Sequence, residues 1–178
     1  MLQKCSILRV AEVFFYEPTK EHYLKEISKK ALLAHTSTKN HLEELKKLSI
    51  IKETVEKKGK REFPIFKADF NNKEYKKYKT TSNLIKLKET KLIDFLQDKL
   101  MPKSIVLFGS YLKGEDIEDS DIDLFIECKE EKIDLSKFKK ELKRNIQLHF
   151  NKSFKDFPNE LKNNIANGLV LYGYLEVF

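Results

Sequence analysis

The 178-residue sequence has no tryptophan, two cysteines, two methionines, four prolines and five glycines. The cysteines, Cys5 and Cys128, lie far apart and outside any CxxC or Cys/His spacing. That argues against a disulfide framework and a cysteine-ligated zinc site, and suits reduced thiols in a cytoplasmic protein. No apolar run approaches the ~20 residues that span a bilayer. Lys4, Arg9 and Glu12 interrupt the opening MLQKCSILRVAEVFF, so no secretory signal is expected. Repeats and low-complexity segments are also absent. Many Lys, Glu and Ile residues beside few Gln and no Trp lean toward a thermophile's composition.

What is present is charge, unevenly spread. Residues 1–80 hold 19 Lys and Arg against 11 Asp and Glu, a net of +8. Residues 81–178 hold 16 against 17, a net of −1. The excess therefore sits in the first half, which points to a polyanionic partner there and a different task for the second half.

In that first half, ILRVAEVFFY (7–16) and EHYLKEISKKA (21–31) read as helices separated by Pro18 and Thr19. After the break LLAHTSTKN, HLEELKKL reads as a third helix, with Leu42, Leu45 and Leu48 in one stripe and Thr36 or Ser37 as its N-cap. IIKETVEKKGKREFPIFKA reads as two strands joined by a Lys-Lys-Gly-Lys turn at Gly59. Residues 70–103 read as a linker and an amphipathic helix over about 82–99, capped by Thr81 or Ser82 and ended by Pro102. Leu84, Ile85, Leu87, Leu92, Ile93, Phe95 and Leu96 would form its apolar face.

The most informative stretch is SIVLFGSYLKGEDIEDSDIDLFIE (104–127). Ile105 to Phe108 is apolar at every position, as in a strand covered on both faces, and runs into Gly109-Ser110. In SDIDLFIE, Asp121 and Asp123 alternate with Ile122, Leu124 and Ile126. Period 2 puts the two carboxylates on one face and the three apolar side chains on the other. Two neighbouring carboxylates repel each other unless a cation lies between them, and Mg2+, or Mn2+ in its place, is the expected ion.

Gly109, Ser110, ten residues, then Asp121-x-Asp123 resembles the signature of the nucleotidyltransferases of the DNA polymerase beta superfamily, in particular the minimal nucleotidyltransferases of archaea and bacteria. The resemblance extends over about residues 80–178. The first 70 residues resemble a winged helix-turn-helix. Together they imply an α+β chain: a winged helix-turn-helix domain at 1–75, then a polymerase-beta-like α/β domain with a mixed sheet at 76–178. The resemblance further implies that Gly109, Ser110 and Tyr111 bind a nucleoside triphosphate, most readily ATP, and that Asp121 and Asp123 hold the metal. A nucleotidyl group then passes to a hydroxyl of a protein, such as an RNase toxin, or of an RNA. In the N-terminal domain it implies nucleic-acid contacts through Ser37, Thr38, Lys39 and Asn40 of the recognition helix and Lys57, Lys58, Lys60 and Arg61 of the wing. Winged helices also serve as protein-docking or dimer modules, so a dimer stays open.

The chain departs from the family at one point. A third carboxylate is expected on the strand after the next helix; the helix is IDLSKFKKELKR and the strand RNIQLHFNK, which has no acid. Gln147 and His149 stand on the face where the acid belongs, and His149 is able to take a proton or to ligate a metal softer than Mg2+. The departure supports a second reading, a DNA-binding regulator whose C-terminal domain senses a nucleotide without turning it over. FPNELKNNIANG then reads as a helix ending at a C′ glycine, Gly168, and LVLYGYLEVF as a closing strand with Tyr172 and Tyr174 on one face.

Overall fold

A computed structural model describes residues 5–152, 154 and 158–177. Phe157, the first residue of the expected last helix, and Phe178, the last of the closing strand, lie outside them. The chain divides into two units, residues 1–82 and 83–178. The resemblance places the boundary at 75; the helix that follows begins earlier than expected, and α4 (Lys73–Thr90) starts in the first unit and ends in the second. No described helix is long and apolar enough to cross a membrane.

The first unit runs α1 (Ser6–Tyr16), β1 (Glu21–Tyr23), α2 (Leu24–Ala31), α3 (His35–Lys47), β2 (Ile51–Lys58) and β3 (Arg61–Ala68). Its three strands form an antiparallel sheet in the order β1-β3-β2. Val10, Phe14, Ile27, Leu42, Leu45 and Ile50 are almost wholly buried and form the core. The β2–β3 hairpin turns at Gly59, with a φ of +63°.

Three expectations for this region change. Residues 21–23 pair with β3 as a strand instead of opening a helix, because Glu21, His22 and Tyr23 complete the sheet edge. The third helix begins at His35 behind Ala34, so Thr36 and Ser37 lie inside its first turn and neither is its N-cap. Leu48 lies outside the core stripe, 44% exposed, because the helix has ended before it.

The second unit comprises the end of α4, α5 (Leu92–Leu100), β4 (Ser104–Phe108), α6 (Gly109–Lys113), β5 (Asp121–Glu127), α7 (Ser136–Leu142), β6 (Asn145–Asn151), α8 (Asn159–Ala166) and β7 (Leu169–Gly173). Its sheet has the order β6-β5-β4-β7. β5 and β6 are parallel and the other pairs antiparallel, so the sheet is mixed. One sheet face carries Ile105, Leu107, Ile122, Leu124, Ile126 and Ile146 into a core with Leu92, Leu96, Phe138 and Leu142. The other buries Val106, Phe108 and Phe125 with Phe154 and Ile165.

Lys91, with a φ of +57°, breaks the expected linking helix into α4 and α5. The break turns Leu92 and Leu96 inward, while Ile85 is left 41% exposed on α4 and does not join the apolar face. Neither Thr81 nor Ser82 caps a helix; both lie within α4. Gly168 does not take a left-handed cap conformation. Its constraint is space, since a Cβ there would stand 2.7 Å from the Leu107 carbonyl oxygen and from Val106 Cγ1. β7 stops at Gly173, short of the expected strand.

Candidate functional site

The site grows out of the junction between β4 and α6. The apolar strand β4 is buried at all five positions and delivers Phe108 directly to Gly109. Gly109 has a φ of +78°, a conformation that favours glycine. Space is as restrictive as conformation: a Cβ on Gly109 would stand 2.5 Å from Asp123 Oδ2. Phe108 pairs across the ladder with Asp123, so the bend and the carboxylate are neighbours by register.

On β5, Asp121 and Asp123 share the face of Phe125, while Ile122, Leu124 and Ile126 are wholly buried on the opposite face. Both aspartates are half-buried. Neither forms an ion pair with a Lys or Arg among the described residues. The parallel strand β6 sets Gln147 beside Asp123 and His149 beside Phe125. Gln147 is exposed. His149 Nε2 lies 3.1 Å from Asp123 Oδ1, with the two side chains 19% and 23% exposed. The His149 ring also packs against Phe108, with ring centres 5.1 Å apart. The two oxygens of Asp123 thus face different neighbours, Oδ1 the imidazole and Oδ2 the Gly109 backbone.

Donor chemistry at this face fits a divalent cation. Two carboxylates share a strand face, and an imidazole meets one of them; among the described residues no lysine or arginine pairs with either acid, and a backbone bend is held close against Asp123. Asp121, Asp123 and His149 do not bring their ligand atoms within 4.8 Å of one another. Among the described residues, that closeness is found for Glu17, His22 and Glu26 of the first unit. There the cation is already supplied, because Lys30 Nζ pairs with both Glu17 and Glu26, at 2.7 Å from Glu26 Oε1.

Two of the expected site residues have their side chains turned inward. The side chain of Tyr111 is 3% exposed and part of the core, with its hydroxyl donating to the Asn83 carbonyl at 3.3 Å. Its ring packs within the core of the second unit. Thr38 is wholly buried and donates its hydroxyl to the Ala34 carbonyl at 3.0 Å, so it faces the core and not a groove of nucleic acid. Lys39 and Asn40 are exposed on α3 and Ser37 is half-buried. On the hairpin, Lys57, Lys58, Lys60 and Arg61 are exposed. Lys57 pairs with Glu62 at 3.1 Å and Lys58 with Glu56 at 3.1 Å, which offsets part of the local positive charge. Tyr174 is 66% exposed beneath the Lys103 ammonium, whereas Tyr172 packs into the core.

Periodicity did not reveal the polar cluster that supports this site. Asp116, in the loop between α6 and β5, accepts from Arg144 Nε and Nη2 at 3.1 Å each and from Asn83 Nδ2 at 2.8 Å. Asn83 Nδ2 also donates to the Tyr111 carbonyl at 2.9 Å. Asp116 and Arg144 are 1% and 4% exposed. Arg144 stands one residue before β6, so the cluster ties the Gly109–Ser110 segment, its following loop and the strand of His149 into one block. The only sequence signal was an arginine at a helix end and an acid within a polar loop, a pattern shared with many exposed residues.

Residues 89–172, a little under half of the chain, match the nucleotidyltransferase domain family. The matched residues all lie within the second unit. A Methanocaldococcus jannaschii protein with the provisional name protein adenylyltransferase is 57% identical over 35 residues, 20% of this chain and 35% of its own length. The chain thus spans about a third of the curated relative it matches. A solved structure titled a possible transcriptional regulator from Methanosarcina mazei Go1 aligns with 54% of this chain and 78% of its own, at 15% identity and a TM-score of 0.38.

Proposed function

We propose that the protein transfers a nucleoside monophosphate, AMP for preference, from a nucleoside triphosphate to a hydroxyl of a protein or RNA acceptor. The observation that carries the proposal is the register of β4 against β5, which brings Asp123 onto the Gly109 bend with no room for a side chain between them. In this reading Gly109 and Ser110 receive the triphosphate, and the absent Cβ lets the backbone come close to it. Asp121 and Asp123 hold a divalent cation, which supplies charge neutralisation at the phosphates when bound. The acceptor hydroxyl forms a bond to the α-phosphorus as the bond to the β-phosphate oxygen breaks; the hydroxyl proton passes to a base or to solvent, and pyrophosphate leaves. The fixed block of bend, β5 and β6 contributes orientation, since small displacements of reacting groups are costly in rate.

The first unit is read as a winged helix-turn-helix. Its order α1-β1-α2-α3-β2-β3 and the hairpin carrying Lys57, Lys58, Lys60 and Arg61 support that reading. Its net positive half supports a nucleic-acid partner, through which the transferase is delivered or regulated. The decisive experiment incubates the protein with α-labelled ATP, GTP, CTP or UTP, divalent cation, RNA and a cell lysate. Label transferred to an RNA or a protein, and lost in Asp121→Asn/Asp123→Asn, is the expected result. Absence of any transferred label, with nucleotide-altered and salt-sensitive DNA binding instead, would favour the non-catalytic regulator.

A further inference from the structure

We propose that His149 is a ligand of the bound cation, and that it turns the site's preference from Mg2+ toward borderline cations such as Mn2+. The inference rests on the nucleotidyl-transfer reading and specifies the cation class that the same site takes.

The strand register makes His149 the residue that meets Asp123. Gln147 is the one directly alongside Asp123 on β6, yet it is exposed, and the imidazole two residues further on reaches back to the carboxylate. The separation from His149 Nε2 to Asp123 Oδ1 is 3.1 Å. Two adjacent ligands bound at ~2.1 Å to one ion are themselves about 3 Å apart, so the pair is already spaced as neighbouring ligands. Packing against Phe108, at 5.1 Å between ring centres, restrains the ring in that orientation. Both side chains remain about one-fifth exposed, so an ion has access. Asp121 joins by a rotamer change on the same face.

The chemistry then separates cations. Mg2+ is hard, favours oxygen donors and gives up water reluctantly. Imidazole suits the first-row transition metals, whose affinity for nitrogen rises from Mn2+ onward. Replacing an oxygen donor by His149 therefore weakens the site for Mg2+ more than for Mn2+.

The test uses the full chain with Mn2+ and inorganic tripolyphosphate, which contains no nitrogen. Electron spin-echo spectra of bound Mn2+ should show the nitrogen coupling of an imidazole, and His149→Gln should lose it. Mn2+ should bind at least about tenfold more tightly than Mg2+ in the wild type, a ratio that falls several-fold in His149→Gln and further in His149→Asp, where an oxygen donor returns. Bound Mn2+ without nitrogen coupling in the wild type, or an unchanged Mn2+/Mg2+ ratio in both variants, overturns the inference. If His149→Gln fails to fold, the wild-type spectrum decides alone. Loss of metal uptake in Asp121→Asn/Asp123→Asn, without nitrogen coupling in the wild type, leaves the transferase reading standing while this inference falls. No uptake of either cation by the wild type overturns both.

Discussion

Gly109 and Asp123 are in contact across the β4–β5 ladder so closely that a methyl group on the glycine would stand 2.5 Å from Asp123 Oδ2. The relationship joins the two halves of the motif physically: the bend proposed to receive the phosphates and the acid proposed to hold the cation share one edge. It follows that Gly109→Ala should disturb both. The left-handed backbone adds strain of ~1–3 kcal/mol for a residue other than glycine. Thermal unfolding should show that loss, and triphosphate binding by calorimetry should fall by about tenfold or more on the same basis.

Removing charge from β5 should act differently. Asp121→Asn leaves shape intact and relieves repulsion between neighbouring carboxylates, so folding should stay within ~0.5 kcal/mol of the parent, whereas Asp123→Asn also weakens the contact to His149 and should cost ~1 kcal/mol. Nucleotidyl transfer should fall by ~100-fold or more, as expected when charge stabilisation in a transition state is lost. Parallel melts and label-transfer rates on the same preparations check the split. A variant that melts far below the parent would assign these acids a structural role.

The buried pair Asp116–Arg144 should be sensitive to removal of one partner. Arg144→Met removes an ion-pair partner from a carboxylate that is 1% exposed, at a cost of ~3–5 kcal/mol. Asp116→Asn/Arg144→Met should be less damaging than Arg144→Met alone, because the buried negative charge that Arg144 offsets is removed with it. Urea unfolding followed by circular dichroism measures both.

In the first unit, Lys30 bridges Glu17 and Glu26. Its hydrogen bond is the largest influence on Glu26 and holds that carboxyl below its usual range. At Glu17, burial pushes upward, but the hydrogen bonds and charges of Lys30 and Lys20 together outweigh it and the net shift is also downward. Both groups are depressed on folding, so their contribution is present above 4.5, the unfolded value, and is lost as pH falls through the lower folded values. Lys30→Ala should shrink that acid-side loss and cost ~0.5–1 kcal/mol near neutral pH. Melting temperature against pH from 7 down to 3 for both proteins tests it; identical slopes would rule it out.

Much of this was legible in the sequence. The alternation of Asp121 and Asp123 with Ile122, Leu124 and Ile126 assigned faces, because side-chain direction in a strand has period 2 and the apolar side must be buried. The buried strand before Gly109 and the hairpin at Gly59 were legible for similar local reasons. Less legible were elements that depend on partners distant in the chain. Residues 21–23 are a strand only because β3 pairs with them. Thr38 and Tyr111 carry polar atoms that suit a binding surface equally well, and only packing shows them turned inward.

By itself, then, the sequence determined which residues share a face and where the glycine-serine bend must fall, since both follow from short-range backbone geometry. Tertiary structure alone decided that β6 runs parallel to β5 in the register that carries His149 to Asp123, and that Arg144 and Asn83 converge on Asp116. Those pairings join residues separated by 26 to 33 positions. Strand register and buried charge pairing are settled by the energy of the whole core, which no local pattern encodes.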